Sequence, residues 1–223
     1  MKPNIFIMPI RICAFLLLFF SSLHTFAQQQ LVEGELVYSV SIRKGGANEP
    51  FTKAGTYSIF LKGSTVRKDM NLHTGYNNTI IINNSDGSVY SLKESAANKF
   101  AIQLSLQELQ IREKPFQDFT LTNTDGHVTI AGFKAQKGNV RYKDGSQFPI
   151  AYTPDFSISQ PYVFNHLPGI SVVPLFFEIA NENGTTMRFE AEKVAARPVE
   201  SSLFKIPAEY KIISNEEYRQ ISR

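Results

Sequence analysis

Histidines and carboxylates are the side chains of this 223-residue chain that could bind a metal or carry acid–base catalysis. Beyond residue 27 the histidines are His73, His127 and His166. None of them has another histidine or a carboxylate at a spacing typical of a metal-binding motif. His73 and His127 stand in or beside turn sequences, which favours solvent-facing positions. The sequence therefore predicts no metal site and no catalytic histidine.

The serines and aspartates form no reaction signature either. There is no G-x-S-x-G elbow and no phosphate-binding glycine loop. Asp125, Asp144 and Asp155 belong to turn sequences, in which aspartate bonds to the local backbone. We predict no catalytic residue and no cofactor. An enzyme, for instance a hydrolase with dispersed carboxylates, would require carboxylates or a histidine to converge in one cleft.

His166 precedes the turn sequence Leu167-Pro168-Gly169-Ile170. Proline at the second position and glycine at the third match a type II turn, in which the glycine supplies a positive φ. This turn explains the motif without catalysis. The functional alternative is that His166, Leu167, Pro168 and Gly169 form the rim of a pocket or a contact loop, since loops often carry function.

Residues 1–27 have the pattern of a secretory signal peptide. Lys2 and Arg11 provide basic charge, the segment 12–20 is apolar, and Thr25-Phe26-Ala27 supplies small residues before a break ahead of Gln28. The alternative is an uncleaved anchor helix, but the apolar run falls short of the roughly 20 residues that span a bilayer. We predict cleavage, and no later segment is apolar enough to form a transmembrane helix.

Removal of this leader changes the charge and the cysteine content. It takes 2 of the 23 basic residues and none of the 20 acidic ones, which leaves 21 against 20. This balance gives no electrostatic argument for nucleic-acid binding. The single cysteine, Cys13, lies inside the leader, and Arg11 and Ile12 stand where a lipid-modified cysteine is preceded by small residues. We predict a periplasmic or secreted protein that is not a lipoprotein.

The rest of the chain alternates between apolar and polar residues at the period of half-buried β-strands. Two sites depart from this pattern, because Ser105 with Glu108 and Ser214 with Glu217 form capping boxes that begin short helices. Four Asx-Gly pairs predict turns between strands, at Asp86, Asp125, Asp144 and Asn183. We predict one mainly β domain over residues 28–223, a curled antiparallel meander of about ten strands with one or two short helices.

A curled sheet of this kind has a concave face that two short helices cover only in part, which leaves room for an apolar ligand. Thirteen of the 18 phenylalanines lie beyond residue 27, and most of them must fill the core. The side chains predicted to line the concave face share the inward phase of their strands: Leu36, Tyr38, Tyr57, Ile59, Phe133, Phe148, Ile150 and Tyr152. An error of one residue in register would exchange the two faces.

Short motifs in the right order make the chain resemble the exported GLPGLI-type family of uncharacterised Gram-negative envelope proteins, which look related to the LolA, LolB and LppX carriers. The motifs are G-x-L-x-Y from Gly34 to Tyr38, I-x-G-F-K from Ile130 to Lys134, DGSQFPIAYTPDF, L-P-G-I from Leu167 to Ile170, and S-L-F-x-I-P-x-x-Y-K from Ser202 to Lys211. The resemblance implies an unclosed, strongly curved antiparallel sheet with helices in its concavity, a LolA-like half-barrel. It brings no catalytic residues.

Two functions rank above the enzyme alternative at this point. The first is a non-enzymatic periplasmic binding protein whose concave face holds a lipid, an acyl chain or another apolar ligand. The second is an envelope interaction or sensor module with a filled core, which binds a protein partner through its loops and sheet edges.

Overall fold

The computed structural model describes residues 28–94, 98–181 and 183–222, so the predicted leader lies outside the described residues. Within these ranges the chain forms thirteen strands and two α-helices. The strands are β1 (Gln29–Gln30), β2 (Glu33–Lys44), β3 (Thr52–Lys62), β4 (Thr65–Leu72), β5 (Asn77–Asn83), β6 (Ser88–Glu94), β7 (Lys99–Ser105), β8 (Thr120–Ile130), β9 (Phe133–Arg141), β10 (Gln147–Ser157), β11 (Val172–Ala180), β12 (Thr185–Ala195) and β13 (Lys211–Ser214); the helices are α1 (Leu106–Glu113) and α2 (Asn215–Ile221).

Two antiparallel meanders build a single sheet. Strands β2 to β7 follow one another as neighbours, and so do β8 to β12. The two series join where β12 pairs with β2 along almost its whole length. The spatial order is therefore β13-β7-β6-β5-β4-β3-β2-β12-β11-β10-β9-β8, while β1 pairs with β10. Sequential pairing of this kind follows from short hairpin connections, which bring successive strands side by side.

The sheet is open and strongly bent. Its edges are β13 and β8, which do not pair with each other. At one end the sheet curls so far that β8 comes close to β12, although three strands separate them in the sheet. The predicted fold class, a mainly β open meander with two short helices, is confirmed.

Three strands of the described residues show no clear alternating pattern in the sequence. β1 and β13 have only two and four residues, too few to show a periodic pattern, and both pair in parallel. β7 is hidden for another reason: its neighbouring residues Ala101 and Ile102 are both buried. Burial on both faces removes the alternation that identifies a half-buried strand.

Three of the four predicted Asx-Gly turns close hairpins, at Asp86, Asp144 and Asn183. The prediction at Asp125-Gly126 is wrong, because β8 continues through these residues. The pairing of β8 with β9 passes from Asn123 opposite Gly138 to His127 opposite Gln136, so three residues of β8 bulge out against one residue of β9. A bulge uses the same residue types as a turn, since it also requires unusual backbone angles.

Both predicted capping boxes are present. Ser105 Oγ accepts the Glu108 backbone N–H at 3.1 Å, and the Ser105 N–H donates to Glu108 Oε2 at 2.7 Å. The same reciprocal pair joins Ser214 and Glu217 at the start of α2. Pro115 follows α1 within a short 3₁₀ turn, as expected of a residue that cannot continue a helix. Leu109 and Glu113, one turn apart, are the residues of α1 that the fold buries.

The main core lies on the face of the sheet that carries Tyr38, Tyr57 and Lys68, which we call the inner face. The loop 158–171 between β10 and β11 packs on this face. Its Phe164 is buried and contacts the rings of Tyr38 and Phe177, each at a centroid distance of 6.2 Å. The other buried side chains of the loop are Ile158, Gln160, Tyr162, Val163, Leu167 and Ile170.

The opposite, outer face is covered in part by the segment that follows β12. Ile206 and Tyr210 pack on a small apolar cluster of Ile81, Leu92 and Ala101. Arg67 on β4 anchors this segment, because its guanidinium donates to the Leu203 carbonyl at 2.7 Å. The S-L-F-x-I-P-x-x-Y-K motif therefore has a structural role as a strap across β4 to β7.

Candidate binding pocket on the inner face

The registers of β3, β4 and β5 place one group of side chains together on the inner face. Tyr57 pairs with Met70, which in turn pairs with Asn78. One step along the strands, Lys68 lies between its partners Ile59 and Ile80. Directly paired residues project from the same side of a sheet, so this grid forms a continuous surface.

A cavity of about 320 Å³ lies on this grid, beside the part of the inner face that loop 158–171 covers. It is bordered by Tyr57, Lys68, Met70, Leu72, Tyr76, Asn78, Ile80, Asn165 and Met187. Asn165 comes from loop 158–171 and Met187 from β12, so the pocket has walls from both halves of the sheet. Its size is at the lower end of the range of about 300–1,000 Å³ that is usual for small-molecule sites.

Lys68 is the charged group of this pocket and is only 3% exposed. Its ammonium donates to the Tyr162 carbonyl at 3.0 Å and to Asn165 Oδ1 at 2.6 Å. Burial lowers the pKa of Lys68 to about 8, and the nearby carboxylate of Glu113 acts in the opposite direction. At neutral pH the side chain is therefore still mostly cationic, although its charge is poorly solvated.

Glu113 and Tyr142 hold the backbone of His166 from two sides. The Glu113 carboxylate accepts the His166 N–H at 2.9 Å, and the Tyr142 hydroxyl donates to the His166 carbonyl at 2.5 Å. His166 adopts a left-handed conformation with φ of 64°, which is uncommon for a residue with a side chain. Burial raises the pKa of Glu113, while the His166 N–H and the charge of Lys68 lower it.

This cluster brings a lysine, a glutamate and a histidine together, yet its geometry is structural. Glu113 binds the main chain of His166 and not its imidazole. The imidazole packs against the Phe116 ring, with a distance of 4.1 Å between the ring centroids. Its Nδ1 atom is buried and has no hydrogen-bond partner among the described residues. Burial and the charge of Lys68 lower the pKa of His166, which favours the neutral ring. The contacts fix the loop and present no aligned acid–base pair.

Tyr57 on β3 borders the pocket beside Lys68. The residue is 4% exposed, and its ring contacts Phe189 at a centroid distance of 5.6 Å. Its hydroxyl is buried and has no hydrogen-bond partner within the described part of the chain. Burial raises its pKa, as do the negative charges of Glu113 and Asp69. A buried hydroxyl without a partner is unfavourable in an empty site, which makes it a candidate contact for a ligand.

The residues predicted to line the concave face lie in two environments. Six of the eight are buried in the main core: Leu36, Tyr38, Tyr57, Ile59, Phe148 and Ile150. Phe133 is half-buried against the Phe156 ring, and the hydroxyl of the half-buried Tyr152 donates to Asn123 Oδ1 at 2.7 Å. Of these eight, Tyr57 borders the pocket described above. A ligand would reach the residues under loop 158–171 only if that loop moved.

The four residues predicted to form a pocket rim also differ in burial. Leu167 is fully buried, His166 and Pro168 are half-buried, and Gly169 is exposed. The type II turn itself is confirmed, since the Ile170 N–H donates to the Leu167 carbonyl at 3.2 Å and Gly169 has φ of 76°. The pocket border includes Asn165, the residue just before this predicted rim.

Lys68, Glu113 and Asn165 were not predicted as site residues. A signal for Lys68 exists in the sequence, because it occupies the same strand phase as Val66 and Met70, two apolar residues that face the core. A lysine in an inward phase marks a buried charge that the fold must satisfy. Glu113 and Asn165 carry no comparable signal, since long-range packing alone brings them to β4.

His73 and His127 are exposed, as the sequence suggested. In the described ranges no group of three or more histidine, cysteine, aspartate or glutamate residues could hold a metal ion. The helices of the same ranges include none that is long and apolar enough to cross a membrane.

Several solved structures resemble the chain. A crystal structure of MucB aligns at 16% identity with a TM-score of 0.42, covering 82% of this chain and 61% of that one. The complex of Pseudomonas aeruginosa MucA and MucB aligns at 15% identity with a TM-score of 0.40, covering 82% and 59%. A LolA-superfamily protein of Nitrosomonas europaea aligns at 10% identity with a TM-score of 0.37, covering 81% and 91%. The chain thus spans about three fifths of the MucB chains that it matches.

No family model matches the chain, and the search among curated proteins gives no match. The open antiparallel sheet follows from the strand order of the chain itself.

Proposed function

We propose that the chain is an exported, non-enzymatic binding protein that holds a lipid or another apolar ligand in the pocket on β3, β4 and β5. One observation supports this proposal above the others: a cavity of about 320 Å³ with Met70, Leu72, Ile80 and Met187 in its walls and polar groups at defined points. Apolar walls with a few convergent polar groups are characteristic of small-molecule sites.

The proposed site is narrower than the whole concave face. The buried apolar side chains of loop 158–171 belong to the same core cluster as Leu36 and Ile59, so that part of the sheet behaves as core. The pocket remains beside the loop, where Asn165 forms its boundary. The ligand would therefore be held between the loop and the β4–β5 hairpin.

The same proposal includes export and membership of the GLPGLI-type family. The leader-like pattern of residues 1–27 supports export. The family motifs occupy distinct structural positions, which supports the resemblance: G-x-L-x-Y opens the central strand β2, L-P-G-I forms the type II turn, and the final motif straps the outer face.

Native mass spectrometry with lipid extraction tests the proposed function. The protein would be purified under mild conditions from a bacterial envelope fraction, as the wild type and as Leu72→Trp, which fills the pocket. Asn71→Trp is the matched control, because the neighbouring residue is exposed on the other face of β4. We expect a near-stoichiometric apolar species on the wild type and on Asn71→Trp, and a strong loss on Leu72→Trp. A wild-type protein free of any ligand would contradict the proposal.

A second function is supported by the edge strand β8. This strand pairs with β9 on one side only, and most of its residues are exposed. An open edge can accept a strand of a partner protein, which suits an envelope interaction or sensor module. Crosslinking in the cell envelope would test this: a specific partner joined at Thr122 or Thr124, combined with a ligand-free pocket, would favour the interaction module over the carrier.

A further inference from the structure

We propose that Lys68 and Tyr57 make the pocket selective for a ligand with one anionic head group on an apolar chain. This inference rests on the proposed function, because it assigns the ligand class of the same pocket. It goes further in predicting that charge, and not only apolar surface, determines what binds.

The ammonium of Lys68 has a donor left for a ligand. A lysine ammonium carries three N–H donors, and two of them are used by the Tyr162 carbonyl and by Asn165 Oδ1. Both acceptors are neutral, and Lys68 takes part in none of the ion pairs found in the described residues. A bound carboxylate or phosphate would supply both the missing acceptor and a counter-charge.

Tyr57, whose side chain borders the same pocket, provides a second buried donor. The side chains of Tyr57 and Lys68 both border the cavity, and the two residues lie on adjacent strands of one face. The Tyr57 hydroxyl is buried and lacks a partner in the described structure. Burial raises the pKa of this phenol, so it stays protonated and can donate a hydrogen bond to an anion.

The remaining charges around Lys68 are compatible with this assignment. Glu113 of α1 and His166 of loop 158–171 are the titratable groups that interact electrostatically with Lys68, and burial disfavours the charged form of each. Glu113 already accepts the His166 N–H. Met70, Leu72, Ile80 and Met187 then form the apolar wall against which a chain would lie.

A carboxylate and a phosphate share the required chemistry, so matched ten-carbon probes separate the two sources. Decanoate, decyl phosphate and the neutral decanol would be titrated below their aggregation concentrations into the exported protein by calorimetry. We expect both anions to bind at least about 10-fold more tightly than decanol, since a hydrogen bond to a charged group is worth about 1.5–3 kcal/mol. The tighter of the two anions identifies the head group.

Two variants test the assigned residues. Lys68→Met keeps the length of the apolar stem and should remove the preference for anions while decanol still binds. Lys134→Met, an exposed site on β9, is the control for net charge and should behave as the wild type. Tyr57→Phe should weaken decanoate binding by about 3- to 10-fold. Tyr57→Phe removes no observed hydrogen bond, so we expect it to fold. It can therefore test the proposal even if Lys68→Met does not fold.

The outcomes distinguish this inference from the proposed function. Equal binding of decanoate and decanol, or an unchanged preference for anions in Lys68→Met, would overturn the charge-selective site and leave an apolar pocket intact. Binding of none of the three probes to the wild type would overturn both the inference and the proposed carrier function.

Discussion

Lys68 is the residue at which folding and binding requirements conflict most clearly. A lysine at an inward position of a central strand brings a charge into the core, where burial lowers its pKa to about 8. Its hydrogen bonds to Tyr162 and Asn165 offset part of this cost and attach loop 158–171 to β4. The residue therefore stabilises the loop while its own charge stays only partly compensated.

This arrangement predicts how stability depends on pH. The pKa of Lys68 is lower in the folded than in the unfolded chain, so between about pH 8 and pH 10 the unfolded chain binds more protons and the free energy of unfolding rises with pH. We expect a rise of about 1 to 2 kcal/mol between pH 8 and pH 9.5 for the wild type relative to Lys68→Met. Urea denaturation at several pH values measures it. A difference independent of pH would show that Lys68 is not buried as a cation.

Two buried tyrosines provide a matched comparison of hydrogen bonding. Tyr38 donates to the Pro174 carbonyl at 2.8 Å, whereas the Tyr57 hydroxyl has no partner within the described residues. We expect Tyr38→Phe to lower the free energy of unfolding by about 1 kcal/mol or more, because it leaves a buried carbonyl unpaired. Tyr57→Phe should leave stability unchanged or raise it. Chemical denaturation measures the free energy of unfolding of both variants. Equal decreases in the two variants would contradict the absence of a hydrogen bond at the Tyr57 hydroxyl.

The candidate site was predictable from the sequence only where strand phase determines position. Tyr57 was predicted because it alternates with Ile59 and Leu61 along β3. Lys68 follows the same rule, because it alternates in phase with Val66 and Met70 along β4, but its charge conceals the inward position. Glu113 and Asn165 belong to α1 and to a long loop, whose places on the inner face depend on tertiary packing. No local pattern encodes such positions.

At the scale of elements, loop 158–171 has the largest effect on function, because it separates core from pocket. Its Phe164 is 1% exposed between Tyr38 and Phe177. We expect Phe164→Ala to lower the free energy of unfolding by about 3–5 kcal/mol, the range for large cavities in a core. Phe60→Ala, at a half-buried site on β3, should cost clearly less. Thermal denaturation compares the stability of the two variants. Similar decreases in the free energy of unfolding would contradict the claim that loop 158–171 forms part of the core.

Strands with one apolar face can be predicted from their alternation, whereas a strand that is buried on both faces cannot. β2, β3 and β12 show a clear alternation, and their hairpins follow from it. β7 lacks this alternation, because the strap from Ile206 to Tyr210 covers the outer face of the sheet at Ala101. The bulge in β8 was mistaken for a turn because Asp125-Gly126 suits both structures. Which strands are covered on both faces of the sheet depends on segments that lie far away in the sequence.

At the scale of the whole molecule, the strand order sets where a ligand could enter. β12 and β2 join the two meanders at the centre, and the pocket lies one strand away, on β3, β4 and β5. Loop 158–171 comes from the other meander and packs across the join. The pocket is thus assembled from both halves of the chain, and neither half contains it alone.

Export predicts a defined chemical form of the protein. If residues 1–27 are a cleaved signal peptide, the exported chain begins at Gln28 and lacks Cys13. The intact mass of protein from the periplasmic fraction measures this. Replacement of Ala27 by Gln, a bulky residue next to the cleavage site, should leave the longer precursor attached to the membrane. A periplasmic or secreted protein that retains residues 1–27 would contradict the predicted cleavage.

The methionines allow the central claim, that the inner-face pocket binds an apolar ligand, to be tested directly. The chain has four, and Met70 and Met187, the two beyond residue 27, both border the pocket. In a protein labelled with ¹³C at the methionine methyl groups, titration with decanoate or decanol should shift both signals together and saturate. Leu72→Trp should abolish the effect, and Asn71→Trp should preserve it. If both signals stay unchanged while calorimetry records binding, the ligand lies elsewhere and the proposed pocket is wrong.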